Sequence, residues 1–229
     1  MTAFAVLAGR GITGYWRGIL IDNRFKMSLG RLQLLAWTLV VLSALVTAGL
    51  TNGAFGAQSP LAIHVPQELW VLLAISTASA IAGPALLAPK ATKEADPKEL
   101  GKTLSELKKG DNIKIDTVLP DLVVRNQDPE SARWGDILKG DESGNAATVD
   151  LGKLQMFFFT FVLVLGYAVA LARLFDGAGA ISILPVVDSS MNTLLGISHT
   201  GYLANKAVPH SLEKPPEPAA VPEGKAAQP

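Results

Sequence analysis

Among the side chains able to move protons, hold a metal or attack a carbonyl, His199 has the most unusual setting, in the stretch DSSMNTLLGISHTGYLANKAV. Ser189 to Asn205 carries no charge, yet its Ser, Thr, Asn, His and Tyr residues make it too polar to face lipid on all sides. Asn192, Gly196, His199 and Leu203 step by three or four, so Asn192 and His199 share one face of a helix. A histidine within a membrane is a candidate proton relay, gate or ligand. The plainer alternative is a neutral imidazole bonded to Ser76 or Thr77 of a neighbouring span. Asn192, Ser198, His199, Ser76 and Thr77 form a candidate intramembrane polar site under either reading.

Other chemistries find less support. The chain has no cysteine, which removes disulfides, thiolate metal sites and thiol nucleophiles. His64 and His210 belong to opposite sides of the membrane on the topology below, and no HExxH or acidic cluster accompanies His199. Ser198 and His199 are adjacent, and neighbours on a helix point about 100° apart, too far for a nucleophile and its base. GxSxG, P-loop and GxGxxG motifs are missing from the sequence. GDESGNAATVD, at 140–150, matches a calcium loop in composition but not in acidic spacing, and reads as a turn. The expectation is a protein that is not an enzyme and takes no metal or cofactor.

A site of this kind needs spans to hold it. Hydrophobic residues make up 49 % and charged residues 17 % of the 229, too apolar a balance for an ordinary soluble domain. Leu32–Leu50, Leu69–Pro89 and Leu154–Ala172 contain no Asp, Glu, Lys or Arg, and each approaches the roughly 20 residues that cross a bilayer. Ser189–Asn205 is a fourth, shorter candidate. Of twenty Lys and Arg, five precede the first span, eleven lie from Lys90 to Lys153, three follow the fourth span, and Arg173 alone falls in an opposite loop. This bias predicts cytoplasmic termini and a cytoplasmic middle loop, in a multi-pass protein of the cytoplasmic (inner) membrane. The N-terminal stretch lacks the plan of a cleaved secretory signal, so the first span reads as a retained anchor.

The first and third spans open on nearly the same phrase, LGRLQ at Leu29–Gln33 and LGKLQ at Leu151–Gln155, 122 residues apart. The same offset aligns LLAIS at Leu72–Ser76 with LLGIS at Leu194–Ser198. The chain is therefore expected to be an all-α four-helix transmembrane bundle of two parallel helical-hairpin repeats, related by a pseudo-twofold axis along the membrane normal. Ser28 and Asp150 read as N-caps. Arg31 and Lys153 are expected to reach toward cytoplasmic phosphates, with Gln33 and Gln155 just inside the interface. Pairs of small residues four apart, Ala44/Ala48, Gly166/Ala170, Ala74/Ala78 and Gly196/Thr200, are expected to let the helices approach closely.

The organisation read from the sequence is an interfacial segment 1–28, a first hairpin 29–89, a cytoplasmic loop 90–150, a second hairpin 151–208 and a disordered tail 209–229. Trp16, Ile19, Leu20 and Ile21, with Arg24 and Lys26, suit the surface of an anionic leaflet. In the loop, Leu100, Leu104 and Leu107 suggest an amphipathic helix, IKIDTVLPDLVV an extended piece, and DPESARWGDILKG another helical turn. These few apolar residues cannot bury a large core alone, so the loop should pack on the membrane face or on a partner. A formal net charge of zero gives no field for nucleic acid. The expected partners are the lipid bilayer and either another protein or further copies of the chain. The expected role is a membrane anchor, scaffold or assembly subunit; the alternative is an oligomeric channel or a small-solute or proton transporter with its path along the fourth span.

Overall fold

The computed structural model describes residues 1–109, 117–118, 121–177 and 179–211. Among the described residues the α-helices are α1 (Thr2–Thr13), α2 (Leu29–Ala54), α3 (Gln67–Leu87), α4 (Pro97–Lys109), α5 (Leu151–Phe175) and α6 (Ser189–Ala207). A two-residue antiparallel ladder pairs β1 (Thr117–Val118) with β2 (Arg125–Asn126). Among the described residues three stretches are long and apolar enough to cross a membrane: α2, α3 with the 3-10 turn that continues it to Lys90, and α5. The more polar α6 lies among them. Contacts run in a ring, α2 to α3, α3 to α6, α6 to α5 and α5 to α2.

Local signals set the helix ends. Ser28 Oγ accepts the Arg31 N–H at 3.4 Å and Asp150 Oδ1 accepts that of Lys153 at 3.1 Å, the N-caps expected of both. Asp188 caps α6 in the same way through the Ser190 N–H, at 2.8 Å. Before α2, Asp22 Oδ1 accepts the N–H groups of Arg24 and Lys26, and Phe25 adopts a left-handed φ of 57°. That side-chain-closed turn points Arg24 and Lys26 back at the bundle.

The two ends of the bundle differ. At the distal end, the links α2–α3 and α5–α6 are stitched together: the His64 N–H donates to Ser182 O at 2.7 Å, and the Leu184 N–H to His64 O at 3.0 Å. Asn52 Nδ2 adds bonds to Pro60 O at 3.0 Å and Ile181 O at 2.8 Å. Behind them Trp37, Ala44, Leu69, Leu72, Tyr167, Leu171 and Leu195 form an apolar core. The proximal end carries α1, α4 and the 121–149 segment, whose Ala132 and Ile137 pack with Leu20, Met27, Leu29, Met156 and Tyr202. Outside, Leu42, Val46, Leu50, Ile81, Phe158, Val162, Val169 and Ile197 leave an exposed apolar belt around all four long helices, as a lipid-facing surface does.

Several expectations are corrected. Of the four small-residue pairs only Ala44/Ala48 is buried; Gly166, Ala74, Ala78 and Thr200 are exposed. Close approach falls elsewhere, at Gly30, where a Cβ would lie 3.1 Å from Ala80 Cα on α3. Leu20, Ile21 and Lys26 are buried rather than spread on a surface, and Arg24 is largely enclosed. His210 and Ser211, assigned to the tail, are bonded into the fold through Glu142. The helix expected around Leu100 and Leu104 is α4, and the turns at Trp134–Ile137 are present. The rest of the tail, 212–229, and residues 113–116 and 119–120 of the extended piece lie outside the described residues.

The two hairpins also differ in rotation. The starts of α2 and α5, and those of α3 and α6, keep the 122-residue offset. Burial does not. Gln33, Ala44 and Ala48 are buried on α2, but their counterparts Gln155, Gly166 and Ala170 are not; the next residues, Met156, Tyr167 and Leu171, are. Likewise Leu72, Ser79 and Gly83 are matched in burial by Leu195, Tyr202 and Lys206 rather than by Leu194, Gly201 and Asn205. A one-residue shift of the buried stripe is a rotation of about 100° about the helix axis.

Candidate functional site

The turn between Lys139 and Asp150 puts two consecutive acids beneath the bundle. Gly140 and Gly144 permit this by close approach: a Cβ on Gly140 would collide with the Asn145 side chain, and one on Gly144 would lie 2.5 Å from Ser211 Oγ. Asn145 Oδ1 accepts the Glu142 N–H at 3.0 Å, and the Val124 N–H donates to Asp141 O at 2.9 Å. These bonds hold the backbone of the turn that carries both carboxylates.

Asp141 is shared by three cations from three parts of the chain. Its Oδ1 is 2.9 Å from Arg24 Nη1 and 3.0 Å from Lys153 Nζ, and its Oδ2 is 2.7 Å from Lys206 Nζ. Arg24 also grips Asp22 at 2.7 Å, Lys153 donates to Lys139 O at 2.6 Å, and Lys206 donates to Tyr202 Oη at 2.6 Å. Burial alone would push the Asp141 carboxyl up, but Lys153, Arg24, Lys206 and Lys26 together hold it well below the usual carboxylate range. Burial pushes the Lys26 ammonium down to about 8, with the attraction of Asp141 working against it. With both oxygens paired to cations, Asp141 is the shared counter-charge of Arg24, Lys153 and Lys206.

Glu142 makes the second joint. Its Oε1 is 2.7 Å from Lys90 Nζ, and its Oε2 accepts the N–H groups of His210 at 2.6 Å and Ser211 at 3.1 Å. Lys90 Nζ donates as well to Lys206 O at 2.6 Å and Val208 O at 2.9 Å, closing free carbonyls at the C-terminus of α6. One turn thus ties together the ends of α3, α5 and α6 and the stretch before α2.

The candidate polar residues Ser76 and Thr77 on α3 and Asn192, Ser198 and His199 on α6 are not joined to one another by any side-chain hydrogen bond among the described residues. His199 is 3 % exposed, and neither ring nitrogen has a hydrogen-bond partner among the described residues. The expected bond to Ser76 or Thr77 is absent there: Ser76 Oγ is buried without a partner, and Thr77 is exposed and donates to Leu73 O of its own helix at 2.8 Å. Ser79 and Ser198 also bury hydroxyls without partners. Asn192, half-buried, donates to Glu68 O at 3.1 Å. Gln33 crosses to α5, bonding Thr160 Oγ1 and Met156 O at 2.5 and 3.3 Å. Gln155 is exposed. Arg31 is exposed and donates to Ile21 O at 2.6 Å, whereas Lys153 points inward to Asp141, against the expectation that both reach for phosphates.

Sequence reasoning missed Asp22, Arg24, Lys90, Asp141, Glu142 and Lys206 as a unit. One signal was available: the uncharged run of α6 ends just before Lys206, a charge near the end of a helix that must pack against others. The partner, Asp141, stood in a stretch legible only as a turn. The chain matches no protein family, no curated protein and no solved structure.

Proposed function

We propose that this chain is a non-enzymatic integral membrane protein whose proximal end is a rigid cytoplasmic platform for a protein partner or for further copies of itself. The observation that carries this reading is the Asp141 joint. A loop needed merely to connect two hairpins gains nothing from burying charge, which costs several kcal/mol per ion before pairing. Buried and fully paired charges specify one geometry, and a surface of fixed shape is what a binding partner needs. Trp16 and Trp134, both exposed with ring centroids 6.1 Å apart, stand on that surface.

In this reading α6 also crosses, so that two parallel hairpin repeats make a four-span bundle with both termini in the cytoplasm of an inner membrane. Its 19 residues give about 28 Å of helix. It runs alongside α3 from the Asn192–Glu68 bond to the neighbourhood of Gly83 and Lys206, which supports equal depth. Single cysteines at Ser59 and Ala180 should react with an impermeant thiol reagent in intact cells, and one at Gly135 only after permeabilisation; labelling at Gly135 in intact cells sinks the topology. For the platform, mild detergent extraction and crosslinking should recover the chain in an assembly. Monodisperse, partner-free monomer under several extraction conditions refutes it.

One observation favours a second reading, an oligomeric channel or a small-solute or proton transporter. Ser76, Ser79 and His199 present unpartnered polar atoms inside the bundle, and a cavity of about 10 Å³ beside Ser79, Gly83, Tyr202 and Lys206 leads toward the ion network. The apolar core at the distal end closes this line, so conduction requires helix movement or assembly. Ion or proton flux in proteoliposomes that His199→Ala alters would establish it; no flux from folded protein would remove it.

A further inference from the structure

Beside the ion network, between the start of α5, the inner half of α6 and the 140–150 turn, lies a cleft of about 610 Å³, a size typical of small-molecule sites. It runs along α6 from Ile197 to Asn205, about 12 Å of helix. Two glycines open it: Gly152 on α5, and Gly201, where a Cβ would meet no atom within 4 Å. Ser198 lines it while only 5 % exposed, and its Oγ has no hydrogen-bond partner among the described residues. That hydroxyl is itself buried, so a turn about its Cα–Cβ bond toward the cleft is what would bring it to a ligand oxygen.

The lining defines the ligand. Among the described residues no Lys or Arg lines the cleft, the adjacent cations Lys153 and Lys206 are committed to Asp141, and the one imidazole in the lining, His210, spends its Nε2–H on Asn205 O at 2.9 Å, so an anionic group finds no free cationic donor there. The one carboxylate, Asp150, already caps α5. The other polar side chains of the lining are hydroxyls and amides: Ser198, Thr148, Tyr202, Gln155, Asn205 and Asn145. The flank is apolar and open, with Ile197 65 %, Leu151 75 % and Val149 56 % exposed. A polar hollow beside an exposed apolar flank, reaching from the helix end into the bundle, fits an amphiphile whose headgroup is uncharged and rich in hydroxyls.

We propose that this cleft binds the headgroup of an uncharged, hydroxyl-bearing membrane lipid, of the glycosyl-diacylglycerol type, with its acyl chains on the Ile197 flank. The proposal rests on α5 and α6 crossing the bilayer and is independent of the platform's partner. The full chain, purified in an amine-oxide detergent that carries no sugar, is titrated with monoglucosyl diacylglycerol, phosphatidylglycerol, diacylglycerol or free glucose, and retained ligand is counted by native mass spectrometry. The expected result is saturable uptake of the glucosyl lipid, weakened at least tenfold in Gly201→Leu and several-fold in Ser198→Ala. Equal uptake of phosphatidylglycerol overturns the uncharged headgroup, equal uptake of plain diacylglycerol overturns headgroup recognition, and equal binding of free glucose overturns the lipid source. Unchanged uptake in Ser198→Ala, the milder substitution, overturns the location even where Gly201→Leu fails to fold. Loss of binding with the cysteine labelling pattern intact defeats this proposal and leaves the membrane topology standing.

Discussion

LGRLQ and LGKLQ open two helices with the same cap and nearly the same letters, and the fold uses them in opposite ways. At the start of α2 the glutamine is inside, bonded to Thr160, and the arginine is outside. At the start of α5 the lysine is inside, bonded to Asp141, and the glutamine is outside. The third and fifth positions of the phrase lie about 200° apart on a helix, so one rotation exchanges them. What differs is the covering: the 139–150 turn lies against α5 and supplies the carboxylate that makes a buried lysine tolerable. The same rotation in α6 turns Lys206 inward to that carboxylate. Two helix pairs can therefore keep the same spacing of helix starts while they differ in which face they bury.

The comparison breaks most severely if its counter-charge is removed. Asp141→Asn should leave Lys153 and Lys206 buried without a carboxylate and Arg24 with Asp22 alone, at a cost of about 3–5 kcal/mol or more, seen as loss of monodisperse protein or a large drop in melting temperature in detergent. Adding Lys153→Met and Lys206→Met to Asp141→Leu should recover much of that loss, because apolar groups of similar size replace the charges. Full stability of Asp141→Asn alone would show that the network does not hold the proximal end together.

A direct contrast comes next. Lys153→Gln should destabilise by a few kcal/mol, whereas Arg31→Gln, at the equivalent exposed position, should stay within about 0.5 kcal/mol. Gln33→Leu and Gln155→Leu should show the reverse order, with about 1–2 kcal/mol lost at Gln33 and little at Gln155. Equal effects within either pair, by thermal unfolding, would contradict the rotation.

Titration sharpens the electrostatic side. The folded pKa of Lys26 is depressed to about 8 from an ordinary 10.5, so the unfolded chain binds more protons between those values. Its contribution to stability should rise as pH rises through that window, and Lys26→Met should flatten the slope. Asp141 acts in the other range: its depressed folded pKa gives stability that is present above the ordinary carboxylate value and lost as pH falls through the folded one. The smallest effect belongs to what the two helix starts share. Ser28→Ala and Asp150→Ala should each cost about 1 kcal/mol, and to a similar degree, since both remove one cap bond.

Three apolar spans, the two caps, the amphipathic α4 and the extra polarity of α6 were all readable from the chain, because each depends on composition or spacing within one helix. Sequence also marked His199 and Ser198 as polar groups in an apolar setting, and both are buried. It could not place their neighbours, since rotation about a helix axis is decided by what packs on each face and not by the helix's own letters. Nor could it foresee the ion network: Arg24 and Asp141 are 117 residues apart, and nothing local distinguishes a lysine that faces solvent from one that faces a buried carboxylate. Burial turns such charges into structure by removing the water that would otherwise screen them, and tertiary packing alone decides where that water is lost.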